Sequence, residues 1–508
     1  MSGVKEYGHP LVDFLVEFVV LCLLGAVVGL VMALLANVNF VKSTNRHIAD
    51  ILMRELARER LADTRAPFPR LVDLDISEKA CEAWARSEGT SCTLGLASFR
   101  RQITAITNNL AQQSNVPEQR PRLVILDIEM APSPSNSGQE QIASDNDLCA
   151  AIYALSETVP VIVPRPTIIG PNGVRTFASI LRPTRDGIRC GQSGTVDPGK
   201  TNVWFGSPLL QADSDGVVRS VHAWDTFRDG QTNQPTRTAG IGMLAAALLN
   251  PLNKKMNLSC LFPGSAMQPA PDRKQCGTGS VRLGNPPYTL AVDAPVRIDR
   301  LQFLLPYVTE DTVNPDDFGL SPSSINVLNA ATMTKDDMSQ LGGAVVVIGG
   351  SFATSGDLHN TPLQPNMPGV MVHANAVRAY ADGALIHEGE DISLEALLIA
   401  VAAAINALVH VLSLRSARRH GAISGVLIHI MWSALGILLA AATVFIFGIS
   451  WAFSELVKSG TVLAVLTPAA VIVVEGFFNI LHEIRRIVHM VVRSIGLKKY
   501  VSAIDEVL

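Results

Sequence analysis

Long apolar runs confined to the two ends of the chain limit its architecture more than any single motif does. Leu11–Ala36, "LVDFLVEFVVLCLLGAVVGLVMALLA", is about the length a helix needs to cross a bilayer core at ~1.5 Å per residue. Runs of similar character occupy Ile392–Leu414, Ala422–Ile449 and Val462–Leu481, and nothing comparable lies between the first run and the second. The pattern predicts four transmembrane helices, one before and three after a large domain at residues 37–391. The acids Asp13 and Glu17 and the missing small-residue cleavage site distinguish the first run from a secretory leader. A charged fraction of 17% agrees with contact with lipid, since soluble domains carry roughly 25%. The formal net charge of −4 argues against a nucleic-acid partner, which would require a basic face.

Short basic loops orient such a chain. "RSARRH", Arg415–His420, carries arginines and no acid, and the segment after Leu481 carries Arg485, Arg486, Arg493, Lys498 and Lys499. Both are therefore expected on the cytoplasmic side, with residues 1–10 inside and residues 37–391 outside. Residues 482–508 form a basic tail whose apolar stripe (Ile484, Ile487, Val488, Val491, Val492, Ile495) predicts an amphipathic helix. Asp13 and Glu17 share a helix face near the same level as Glu475 and Arg485. They are candidates for coupling between the first and fourth helices, against the plainer reading that they reach to the interface.

Six of the seven cysteines, Cys81, Cys92, Cys149, Cys190, Cys260 and Cys276, fall in the expected exterior domain. An even set in an oxidising compartment points to bridges. Cys81–Cys92 and Cys260–Cys276 close the shortest loops, which leaves Cys149–Cys190. Other pairings, and six buried thiols, stay open.

"GTVDPGKT", Gly194–Thr201, fits the spacing of a phosphate-gripping loop. Such a loop needs a buried strand before it and a helix after it. The polar "RDGIRCGQS" precedes it, and Pro198 with Val203-Trp204-Phe205 opposes a helix starting at Lys200. The match is read as chance.

Within the domain, "RLVDLDIS" (Arg70–Ser77), "RLVILDIE" (Arg122–Glu129), "VPVIVP" (Val159–Pro164) and "GAVVVIGG" (Gly343–Gly350) read as strands buried on both faces. "FRRQITAITNNLAQQ" and "DNDLCAAIYALSE" between them have helical spacing. The alternation implies an α/β domain with a mainly parallel sheet, whose ligands would sit beyond the carboxyl ends of the strands. Asp75, Asp127 and Glu129 lie on that edge. "DSDG", Asp213–Gly216, lacks the further ligands of a calcium loop and reads as a hairpin turn. A helix is also expected from Arg46 to Leu61.

The stretch from Ile348 to Tyr380 contains Gly356-Asp357, Thr361-Pro362, Pro368-Gly369-Val370 and His373-Ala374-Asn375. Together with "LVDLDISE", the region around Asp127 and Asp147, and "DSDGVVRSV", it resembles the CHASE2 extracytoplasmic sensor domains of bacterial receptors. The resemblance covers roughly residues 40–390. It implies a sensor that detects an exterior signal and reports through its helices. Receptors of this family usually continue into a kinase or cyclase, whereas this chain stops at Leu508. The expectation is a non-enzymatic sensor in a bacterial inner membrane, a homodimer or higher oligomer, signalling to a separate cytoplasmic protein. No cofactor and no metal are expected. The candidate ligand-binding residues are Asp75, Asp127, Asp357, His359, His373 and Asn375. The plainer reading is that Asp357 caps a turn and His373 opens a helix. The alternative function is an oligomeric pore-forming subunit.

Overall fold

The computed structural model describes residues 47–54, 70–88, 96–128, 138–165, 202–228, 235–250, 325–352, 355–383 and 385–388. Shorter stretches between them and scattered residues from 400 to 462 are also described. Residues 50–386 form one compact unit, and residues 1–49 with 387–508 form another.

The larger unit begins β1 (Leu71–Ile76), α1 (Glu78–Glu88), α2 (Leu96–Gln113), β2 (Leu123–Asp127), α3 (Gln139–Ser156), β3 (Val161–Pro164) and β4 (Val203–Gly206). It continues through β5 (Val218–Arg228), α4 (Ile241–Leu249), β6 (Arg297–Leu301), β7 (Asn326–Asn329), β8 (Val345–Gly350) and α5 (Gly369–Asp382). Six strands pair in the order β7-β1-β8-β2-β3-β4, every neighbouring pair parallel. The strands expected from the apolar runs at Arg70, Arg122, Val159 and Gly343 all belong to this sheet. They are rich in β-branched and leucine residues and almost wholly buried, as a sheet covered on both faces requires.

Side chains alternate across the strands. Val72, Leu74, Val124, Leu126, Val346 and Ile348 join the core beneath α1, α2 and α3. Leu71, Leu123, Ile125, Val345 and Val347 join the opposite core, with α4 and α5. The second contact is close because glycines allow it. A Cβ on Gly349 of β8 would fall 2.5 Å from Val370 Cβ of α5, and one on Gly242 of α4 would fall 2.4 Å from Ala376 Cβ.

A second, antiparallel sheet is built around β5, which pairs with Leu210–Ala212, Pro235–Ala239 and β6. The hairpin expected at Asp213–Gly216 is present: Asp213 N–H donates to Val217 O, and Gly216 takes φ of 78°. The Tyr380 hydroxyl of α5 donates to Asp299 of β6 at 3.0 Å, tying this sheet to the helix that covers the first.

The expectation of four transmembrane helices is corrected. A span needs roughly 20 consecutive apolar helical residues, and among the described residues no helix is long and apolar enough to cross a membrane. Residues 11–36 lie outside the described residues, and 392–414, 422–449 and 462–481 are described only in part. In this smaller unit Gly436 lies against Val409, and Leu408, Met431, Phe447 and Trp451 are exposed.

Candidate functional site

The carboxyl ends of the central strands set up the site by register alone. Asn329, Asp75, Gly349 and Asp127 lie side by side across β7, β1, β8 and β2. One rung deeper the sequence across the same strands is Val327, Asp73, Val347 and Ile125. Asp73 thus places a carboxyl in a row of aliphatic neighbours. It is fully buried, and among the described residues neither of its oxygens has a hydrogen-bond partner. Burial, then the charges of Asp75 and Asp127, holds its pKa well above the ordinary 3.8.

The loop after β8 and helix α5 close over this edge. Pro368 precedes the first turn of α5 with a φ of −58°, and Gly369 opens the helix. The Asp357 carboxylate packs so tightly on Gly369 that a Cβ there would fall 2.2 Å from Oδ2. Gly369 N–H also donates to the Asp357 carbonyl at 2.8 Å. The carboxylate therefore lies at the positive end of α5, and it accepts from His359 Nε2 at 2.9 Å. One turn into α5, His373 Nε2 is 3.9 Å from Asp127 Oδ1. Burial raises the pKa of Asp127, His373 lowers it, Asp357 raises it and His359 lowers it. Exposure falls steadily inward: 45% for Asp357, 26% for His359, 9% for Asp127, 5% for His373 and 0% for Asp73.

Of the residues expected from sequence, Asp75, Asp127, Asp357, His359 and His373 meet around one strand edge. Asn375 is buried two residues beyond His373, and its side-chain amide donates to the Met371 carbonyl at 2.9 Å. Glu129 lies outside the described residues. Asp73 was missed, although an acid in the middle of the uniformly apolar "LVDLDI" was the available signal. Among the described residues, no group of His, Cys, Asp and Glu is arranged to hold a metal ion.

A second ionic cluster lies in the same unit. Arg219 of β5 donates from Nε and Nη2 to the two oxygens of Asp50, at 2.9 and 2.6 Å. It also donates to Asp213 and Asp215 of the hairpin at 2.8 and 2.9 Å. The acids of "DSDG" thus surround an arginine.

The sequence profile of the CHASE2 domain matches residues 24–409. The chain belongs to the CHASE2 family. This is a family of sensor domains, and the site just described is built from the CHASE2-like segments noted in the sequence: "LVDLDI", "LVILDI" and the loop through His373. No curated protein and no solved structure matches the chain.

The remaining sequence expectations fall largely elsewhere. Lys200 and Thr201 of "GTVDPGKT" lie outside the described residues, while Thr195–Val196 is a strand and β4 follows, so a strand stands where a phosphate loop would need its helix. Cys81, Cys149 and Cys260 are disulfide-bonded, and Cys92, Cys190 and Cys276 lie outside the described residues. So do the coupling candidates Asp13, Glu17, Glu475 and Arg485, and the tail 482–508. Of the helix expected over Arg46–Leu61, residues 47–54 are helical and the rest lie outside.

Proposed function

We propose that this CHASE2 chain is a sensor module whose domain, residues 37–391, faces the exterior of a bacterial cell and passes a signal to a separate cytoplasmic output protein. The observation that carries the reading is the family match, which spans the domain from end to end. The carboxylate–histidine constellation supports it, because parallel α/β sheets take ligands at the carboxyl ends of their strands. In this reading the chain catalyses nothing, binds no cofactor, and works beside the lipid bilayer as a homodimer or higher oligomer. Disulfides Cys81–Cys92, Cys149–Cys190 and Cys260–Cys276 brace the exterior domain. A signal acts only if it binds two arrangements of the domain unequally.

The test is crosslinking in living cells from positions in the 482–508 tail. Capture of a soluble cytoplasmic enzyme whose activity changes when the exterior domain is altered would support the proposal. If the purified chain instead conducts ions in liposomes and captures no such enzyme, the pore-forming reading takes its place.

A further inference from the structure

We infer that the signal read by this site is the proton, with Asp73 and Asp127 as the buried acids that take it up and His359 and His373 lining its path from solvent. The inference rests on the sensor reading and names its signal.

The geometry leads there by two buried acids with unpartnered oxygens and by the graded access to them. Both oxygens of Asp73 and Oδ2 of Asp127 are buried without a hydrogen-bond partner among the described residues. A buried carboxylate lacking any donor is costly, and one proton removes most of that cost. The groups facing the pair are Asp75 from β1, His373 from α5, and Asp357 and His359 from the loop between β8 and α5. Strands β7 and β8 and helix α4 contribute no titratable side chain. On α5, Arg378 is paired with Asp382, and Tyr380 with Asp299. Among the described residues, no lysine or arginine is paired with Asp73 or Asp127. A metal ion finds no suitable donor group among the described residues. Exposure falls from the half-exposed Asp357–His359 pair to the nearly buried His373 and Asp127 and the fully buried Asp73.

The same loop carries the response outward. Asn360, next to His359, accepts from Val218 N–H at 2.7 Å, and the Pro362 carbonyl accepts from Arg54 Nε at 2.7 Å. Arg219, next to Val218, grips Asp50. Residues 50–54 are thus held to the site by hydrogen bonds on both sides. Loss of the proton sets three carboxylates against one another beneath α5. Relief by movement of Gly369 and the Asp357–Pro362 segment pulls on Arg54.

The experiment uses the purified full-length chain. Infrared difference spectra are recorded as pH is raised from the ordinary carboxyl value near 3.8 to the alkaline limit of the folded state, together with hydrogen exchange corrected for its intrinsic pH dependence. The wild type should lose a buried carboxylic C=O band, and protection at residues 47–54 and 355–363 should change several-fold with the same midpoint. Asp73→Asn, which mimics the protonated acid, should lack that component of the band and hold both segments in the low-pH state. His373→Gln should shift the midpoint while leaving the band present. Asp127→Asn serves as the second variant should Asp73→Asn fail to fold, with the same expected loss. An unchanged step in the folded variant, or no band and no step in the wild type, overturns the proton inference. Neither result touches the sensor reading, which the crosslinking test decides separately.

Discussion

Arg219 and Asp50 form a buried fork-to-fork pair, guanidinium to carboxylate, across 169 residues of sequence. Both side chains are under a tenth exposed, and Asp213 and Asp215 complete the guanidinium's acceptors. Removing one member of such a pair leaves a desolvated charge, which costs about 3 kcal/mol or more. Arg219→Ala should lower stability by that amount in denaturant unfolding, and Asp50→Ala by less, because Asp213 and Asp215 still pair with the guanidinium. The double variant should cost clearly less than the sum. Arg219→Lys should recover little, because an ammonium cannot serve both oxygens of Asp50 in one plane.

Two glycines are required by close approach. Gly349→Ala drives a methyl into Val370, and Gly369→Ala drives one into the Asp357 carboxylate. Each should destabilise the domain by about 1–3 kcal/mol, as overpacking does. Only Gly369→Ala should also break the Asp357–His359 hydrogen bond, which the His359 ring resonances would report.

Stability should depend on pH through Asp73. Its pKa is raised in the folded chain by burial and then by Asp75 and Asp127. The folded state therefore binds the proton more tightly than the unfolded chain. The resulting stability is fully present below the ordinary value near 3.8 and is lost as pH rises through the raised value. Asp73→Asn should match wild type below the ordinary carboxyl value near 3.8 and become the more stable of the two as pH rises through the raised value. Parallel denaturant titrations below and above that raised value check the sign.

Peptide mapping of the unreduced chain should recover Cys81 with Cys92, Cys149 with Cys190, and Cys260 with Cys276. Any crossed pair would show that loop length is a poor guide here.

The parallel sheet was legible because strands buried on both faces must be continuous apolar runs, as in "GAVVVIGG" and "VPVIVP". The site was legible where an acid ends such a run, at Asp75 and Asp127, or where histidines cluster in a turn-rich loop, at His359 and His373. Asp73 escaped because its neighbours hide it: along the chain it reads as part of a buried strand. Only the pairing of β1 with β8 shows that its rung is otherwise aliphatic. Asp50 and Arg219 were beyond reach, since nothing local marks residues so far apart as partners. The hairpin at "DSDG" was read correctly as a turn, yet the purpose of its two acids depends on an arginine presented by the next strand.

Compartment is the premise on which the sensor account stands, and a reporter inserted after Gln231 measures it most directly. Alkaline phosphatase placed there should be active and a fluorescent protein dark, as expected of an exterior domain. Fluorescence with no phosphatase activity would put the domain in the cytoplasm and contradict the account.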